Sequence, residues 1–278
     1  MSESAAPQTR AFVPAWAWST PENADVFGFS TTRSGALMSR SIMLRELAML
    51  VAETPPQATL ADIRAAVLDE NLLGKVTWSS RLNSLRHLRE LYTLNNSLSL
   101  FRLLRLMYQE DPASLPQLAL VCAFCRDIQL RESFRLIESL HPGELLPRAR
   151  MEAHLEATFP GRYSDKMKVC LAKHANTSWR DSGHLQGRNR KSRTLPKATL
   201  GGVTLAMLAG YLLGLRGYLL LDSVLGRLVS GDSSQLLAML HTASGRGWCR
   251  VRHAGGVLDI DFTALLTPTE RELLHGAA

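Results

Sequence analysis

Residues 200–221, LGGVTLAMLAGYLLGLRGYLLL, carry one charge, Arg216, and follow directly on a basic knot, GRNRKSRTLPKAT. A run this apolar has two homes, the interior of a folded body or a lipid bilayer. At about 1.5 Å per residue a helix over the whole stretch would cover roughly the 30 Å of a hydrocarbon core, so length permits a span. Arg216, however, confines the unbroken run to residues 200–215, short of the about 18 residues that mark a spanning helix. Gly201, Gly202, Gly210, Gly214 and Gly217 dilute it further. Leu225 and Leu228 extend the helical spacing beyond Asp222, and the segment reads as one long core helix whose glycines admit a close neighbour. A membrane anchor that dimerises through Gly210 and Gly214 is the competing account.

The chain has 278 residues, 46% of them apolar, which supplies a large core. Its net charge is +7, and the excess is concentrated: Arg180, Arg188, Arg190, Lys191, Arg193 and Lys197 stand against Asp181 within residues 180–197. Such a cluster favours an anionic partner, nucleic acid or lipid headgroup, over a generally cationic surface. Cys122, Cys125, Cys170 and Cys249 are too few for a disulfide scaffold, and MSESAAPQTR lacks the basic and apolar regions of a secretory leader. A cytoplasmic location is expected.

Residues 1–30 hold Pro14, Pro21, Trp16, Trp18, Phe27 and Phe29 without helical period, and read as an extended arm whose aromatics dock on the body. Leu37, Leu44, Leu47, Ala48 and Val51 predict a helix over 36–52. Thr59 and Asp62 form a capping-box pattern ahead of Ile63, Ala66 and Val67. After Gly74 and Lys75, Thr77 caps a second helix with an inward stripe of Trp78, Leu82, Leu85, Leu88 and Tyr92. Its outward face then carries Ser79, Ser80, Asn83, Arg86 and His87. Two short helices around a turn outline a helix-turn-helix, in which the second enters the major groove. A bundle with a solvated outer face gives the same outline. Further helices are expected over 97–108, 114–130 and 131–140, and the break at His141-Pro142-Gly143 divides an N-terminal domain (31–143) from a C-terminal one (144–278).

In the second domain, helices are expected over 144–158 and from Ser164, the latter with Met167, Cys170, Leu171 and His174 on one face and His174 as a satisfied core histidine. Residues 181–197 read as a mobile basic loop. Ser233 or Ser234 opens a helix bearing Leu236, Leu237 and Leu240, and GWCRVRHAGGVLDIDF alternates with period two about Ala254-Gly255-Gly256, a hairpin over 248–262. Helix then hairpin is the back half of a winged helix. Arg246, Arg250 and Arg252 are its outward cations, with Asp259 and Asp261 positioned to pair with the last two across the strands. The expected fold is mainly α, two helix-turn-helix-like domains, the second ending in a winged-helix-type hairpin.

Catalytic and cofactor patterns do not emerge. Cys122-x-x-Cys125 lies in an apolar run without a second ligand pair at zinc spacing, and neither a phosphate-binding glycine loop, HExxH nor GxSxG occurs. Asp165 beside Lys166 and Lys168 suggests a nuclease only superficially, since that chemistry needs carboxylates converging on a metal. No catalytic residue, metal or cofactor is expected, and the chain reads as a binding protein.

Taken in order, FSTTRSGALMSRSIMLRELAML, ENLLGKVTWSSRLNSLRHLRELYTL, SWRDSGHLQGRNRKSRTLPKATLGGVTLAMLAGYLLGLRGYLLLDS and GWCRVRHAGGVLDIDF resemble the BrxA family of bacteriophage exclusion (BREX) defence systems, over residues 29–262. None of these stretches is a catalytic signature. The resemblance implies a soluble, largely helical protein that binds double-stranded DNA without enzymatic activity and works with other subunits of a defence system. Its carry-over rests on Lys75, Ser79, Ser80, Asn83, Arg86 and His87 in the first domain. In the second it rests on Arg180, Arg188, Arg190, Lys191, Arg193 and Lys197, with Arg246, Arg250 and Arg252. The basic loop would neutralise phosphates while the polar face at 78–92 positions the protein in a groove. A scaffold docking an acidic protein, a membrane-anchored protein and an RNA binder are the rival readings.

Overall fold

The computed structural model describes residues 24–30, 36–229 and 232–275. Its centre is the apolar run, though not as one helix. α9, Leu200–Leu212, is buried on all sides from Gly201 onward. Gly214 (φ 90°) and Gly217 (φ 56°) then turn the chain, and two short helices follow, α10 (Tyr218–Leu221) and α11 (Val224–Val229). Arg216 explains the stop. Its guanidinium folds back to donate to Tyr211 O (2.7 Å) and Leu215 O (2.8 Å) and lies 3.8 Å from the Tyr211 ring centroid. A cation on the orphan carbonyls of a helix carboxyl end is favourable, so the residue that interrupts the run also terminates the helix. No helix among the described residues is long and apolar enough to cross a membrane, which removes the span that the anchor account requires.

The other elements wrap this centre. In chain order they are α1 (Leu44–Glu53), α2 (Leu60–Leu68), α3 (Trp78–Tyr92), α4 (Ser99–Glu110), α5 (Leu115–Phe124), α6 (Ile128–Ser139), α7 (Arg148–Thr158) and α8 (Asp165–Asp181). A hairpin of β1 (Leu185–Gln186) and β2 (Ser192–Arg193) precedes α9; after α11 come α12 (Ser233–Gly245), a hairpin of β3 (Arg250–Ala254) and β4 (Val257–Asp261), and α13 (Pro268–His275). The architecture is mainly α, as expected. α9 packs on α4 and α5 from before the His141-Pro142-Gly143 break and on α11 and α12 from after it. One apolar cluster runs from Ala24 to Leu266.

Close approach at the start of α9 depends on glycine. A Cβ at Gly202 would lie 2.6 Å from Gln117 Cβ, and one at Gly201 would lie 2.8 Å from Ser114 Oγ. Gln117 uses its whole amide there: Oε1 accepts from Thr199 N (2.9 Å) and Thr199 Oγ1 (2.7 Å), and Nε2 donates to Lys197 O (3.1 Å) and Val229 O (3.2 Å). At the far end of the chain, the buried Glu270 accepts from Ser99 Oγ (2.5 Å) and Arg102 Nη2 (2.6 Å), which ties α13 to α4. Burial opposes ionisation of Glu270, but those bonds and one from Thr267 N outweigh it and hold the carboxyl below its usual range.

Two of the expected helices, over 36–52 and 114–130, are broken. The helix over 36–52 is a 3-10 turn at Ala36–Met38 and then α1, because Met43 is left-handed (φ 50°) and Ile42 N donates instead to Ser178 Oγ (3.0 Å). The helix over 114–130 ends at Phe124, and Asp127 caps α6 through Leu130 N (3.0 Å). Phe27 and Phe29 are buried in the core as expected of the arm, whereas Trp16 and Trp18 lie outside the described residues.

We expect Gly202→Ala to lower stability by about 1–3 kcal/mol, the usual cost of overpacking. Gly245→Ala, where a Cβ meets nothing within 4 Å, gains up to about 1 kcal/mol of helix propensity. Urea unfolding of the two variants beside the parent measures both.

Candidate nucleic-acid interface

The basic segment is a hairpin, not an irregular loop. α8 closes through His184 N to Trp179 O (2.8 Å) with Gly183 at φ 82°, and β1 then pairs antiparallel with β2, Leu185 opposite Arg193 and Gln186 opposite Ser192. The second edge of β2 is bonded too. Gly143 N donates to Arg193 O, Arg193 N to Glu144 O and Leu146 N to Lys191 O, each at 2.8 Å, so the residues just after the α6 break act as a third strand. Two-residue strands with one apolar side chain, Leu185, carry no period for sequence reading to find. At the tip Gly187 has φ 91°, and a Cβ there would collide with Arg190 O, so this turn demands glycine.

The six cations of the segment are unequal. Arg193 is buried; its Nη1 donates to His184 O (3.1 Å) and to Thr194 O, and burial lowers its pKa. It holds the root together and is turned away from any external anion. Arg180 pairs with Asp181 at 2.6 Å. Lys191 donates to Arg188 O (2.9 Å), its ammonium pKa lowered by partial burial and then by Arg180. Arg188, Arg190 and Lys197 are exposed, and their side chains make no hydrogen bond or ion pair among the described residues.

Beneath the root lies His184, fully buried, its ring 5.0 Å from the Trp179 centroid and 6.1 Å from that of Phe134. Nε2 sits 2.9 Å from Leu228 O and Nδ1 3.1 Å from Ser182 Oγ. Burial, reinforced by the Arg193 charge, pushes its pKa down to about 3, so the ring is neutral. His174 is satisfied by Leu37 O (3.0 Å), in keeping with its reading as a core residue.

On α3 the capping box is formed: Thr77 Oγ1 accepts from Ser80 N (3.1 Å), and Ser80 Oγ accepts from Thr77 N (3.3 Å). The inward arc, however, is Ser84, Leu85, His87, Leu88, Leu91 and Tyr92. Burial begins only at Ser84, and Trp78 and Leu82, placed by spacing in the stripe, are exposed. Ser79, Asn83 and Arg86 face solvent as expected, while His87 is buried with Nδ1 3.2 Å from Glu90 Oε2, and Lys75 is held by Glu46 at 2.7 Å. Arg81, which sequence reading passed over, fixes the connection: Nη1 donates to Leu68 O (2.9 Å) at the end of α2 and Nε to Lys75 O (3.3 Å). That connection, residues 69–77, is longer than the three or four residues of a compact helix-turn-helix.

The β3–β4 hairpin turns on Gly255 (φ 58°) and Gly256 (φ 77°), the left-handed pair that a two-residue hairpin turn prefers. Its register sets Arg250 opposite Asp261 and Arg252 opposite Asp259, so these arginines face carboxylates. Burial of Asp261 disfavours its charge, but hydrogen bonds from Thr263 and the Arg250 charge prevail and lower its pKa. Arg246 lies 5.3 Å from the Trp248 ring centroid. Beside this hairpin, α12 exposes Ser234, Gln235, Ala238, His241 and Thr242, a polar helix face with little charge to draw notice in the sequence.

Cys122 and Cys125 are buried, and burial raises both thiols, Cys125 to about 12. Lys168 pairs with Asp165 (2.8 Å) and Glu156 (3.1 Å). No group of three or more potential metal ligands occurs among the described residues. Set beside known proteins, the chain matches no family model and no curated sequence.

The His184 geometry makes a pH prediction. Its folded pKa is depressed, so between about 3 and the unfolded value of 6.5 the unfolded chain holds a proton that the folded one does not. Stability therefore falls as pH drops below 6.5, by about 1.4 kcal/mol per unit from this group. His184→Gln should flatten unfolding free energy between pH 6.5 and 5, above the main carboxylate range. His174, lowered in the same sense, keeps a smaller slope in the variant.

Proposed function

We propose that the protein is a non-enzymatic, cytoplasmic, double-stranded DNA-binding component of a bacterial phage-defence system of the BREX kind, which acts with other subunits of that system and holds DNA mainly by its phosphates. The observation that carries this reading is the β1–β2 tip. Arg188 and Arg190, with Lys191 next to them, are offered on a turn rooted in the core, Lys197 is exposed on the segment that leads to α9, and none of the four pairs with a carboxylate among the described residues. A turn whose backbone is already fixed in place spares that ordering cost when its cations meet a phosphate backbone. The BrxA resemblance of the stretches quoted above points the same way.

One observation favours a second reading, a scaffold that docks an acidic protein. Leu145 and Leu195 are exposed near the hairpin, and apolar groups mixed with cations suit a protein surface. Retention of a partner after nuclease treatment, with no shift of duplex DNA by the isolated chain, would decide for it.

Four contacts predict a slope of log affinity against log salt near −3.6, from roughly −0.9 per phosphate. Replacing Arg188, Arg190, Lys191 and Lys197 with Gln should weaken binding to all duplexes and bring the slope toward zero. Arg193→Gln should instead lower thermal stability and leave the slope as it is. Unchanged affinity in the fourfold variant means that the hairpin is not the contact, and RNA assayed alongside tests the choice of polymer.

A further inference from the structure

The opening turns of α3 carry a mixture that a solvated helix has no use for. Val76 is 95% exposed, Trp78 53% and Leu82 49%. Among them stand the exposed Ser79 and Asn83, whose side chains have no hydrogen-bond partner among the described residues, and Arg86 and Arg89 follow on the same arc. The arc is held ready. The Thr77–Ser80 box fixes the first turn, and Arg81 locks the connection to α2 through Leu68 O and Lys75 O.

Charge complementarity selects the occupant. The arc bears two arginines against one carboxylate, the half-buried Glu90, which His87 contacts. Asp69 and Glu70, exposed at the α2 end of the connection, put the negative sign there, which directs a phosphate to the Arg86–Arg89 side. B-form DNA admits a helix in its major groove, where the C5 methyl of thymine is the apolar feature of the base edges and adenine offers the acceptor and donor that an asparagine amide matches. Helices that enter the groove read bases with their amino-terminal residues.

Resting on the DNA-binding reading above, we propose that α3 reads A·T pairs in the major groove. Trp78 and Leu82 pack on thymine methyls, Asn83 hydrogen-bonds adenine, and Arg86 and Arg89 hold the flanking phosphates. The β1–β2 hairpin supplies sequence-tolerant affinity, and α3 supplies preference.

The test uses the full chain and two A·T-rich duplexes of one sequence, the second with deoxyuridine for every thymidine, which removes only the methyls. The parent should prefer the thymidine duplex by about fourfold per contacted methyl, the ratio that burial of one such group gives. Leu82→Ala and Trp78→Ala change exposed side chains; circular dichroism checks their folding. Each should cut the preference by about fourfold for the methyl contact it loses, and keep the salt slope. Equal binding of the two duplexes by the parent, with the slope intact, overturns the proposal and leaves the DNA reading standing. A thymidine preference left undiminished in both Leu82→Ala and Trp78→Ala also overturns it. No duplex binding at low salt ends both. A protein partner lost on Leu82→Ala, with methyl-indifferent DNA binding, assigns the face to protein docking instead.

Discussion

The amide of Gln117 is where the architecture is joined. A single side chain on α5 satisfies the first residue before α9, the last carbonyl of the basic segment and the end of α11, and it does so only because Gly202 leaves no side chain in the way. A buried amide with every partner in place fixes geometry, whereas a half-satisfied one would destabilise the core. α9, covered on all sides, therefore has a defined seat as well as a hydrophobic reason to be inside. The elements on either side of the α6–α7 break then pack around a common helix.

How much of this was legible in the sequence follows from the range of the interactions. Local signals read correctly: the Thr59–Asp62 box, the Thr77 cap, the helix start at Ser164, the Gly255–Gly256 turn and the burial of the apolar run. Signals that depend on distant partners did not. The basic segment becomes a hairpin because residues 143–146 complete its sheet, and the inward arc of α3 begins only at Ser84 because the described residues leave Trp78 and Leu82 about half exposed. Periodicity reports which residues share a face; it does not report where the neighbours are.

The candidate site teaches the same lesson about charge. Counting cations along residues 180–197 treats them as equivalent, yet Arg193 spends its guanidinium on carbonyls and Arg180 on Asp181, while the tip and Lys197 face outward. Likewise Arg250 and Arg252 look outward by alternation but stand opposite aspartates. Ser79, Asn83 and Arg86 kept their expected exposure because their positions on the helix lie on the uncovered arc. Lys75 did not, because Glu46 holds it, nor did His87, which lies on the inward arc.

The hairpin separates two jobs along one short ribbon. Its base, with His184 and Arg193 enclosed and β2 bonded along both edges, belongs to the framework and tolerates little exchange. The solvent-facing residues 188–190 contribute almost nothing to that framework, so selection is free to rewrite them. Such a module allows descendants to retune the ionic grip of the molecule, or reverse its sign, while the scaffold beneath stays the same.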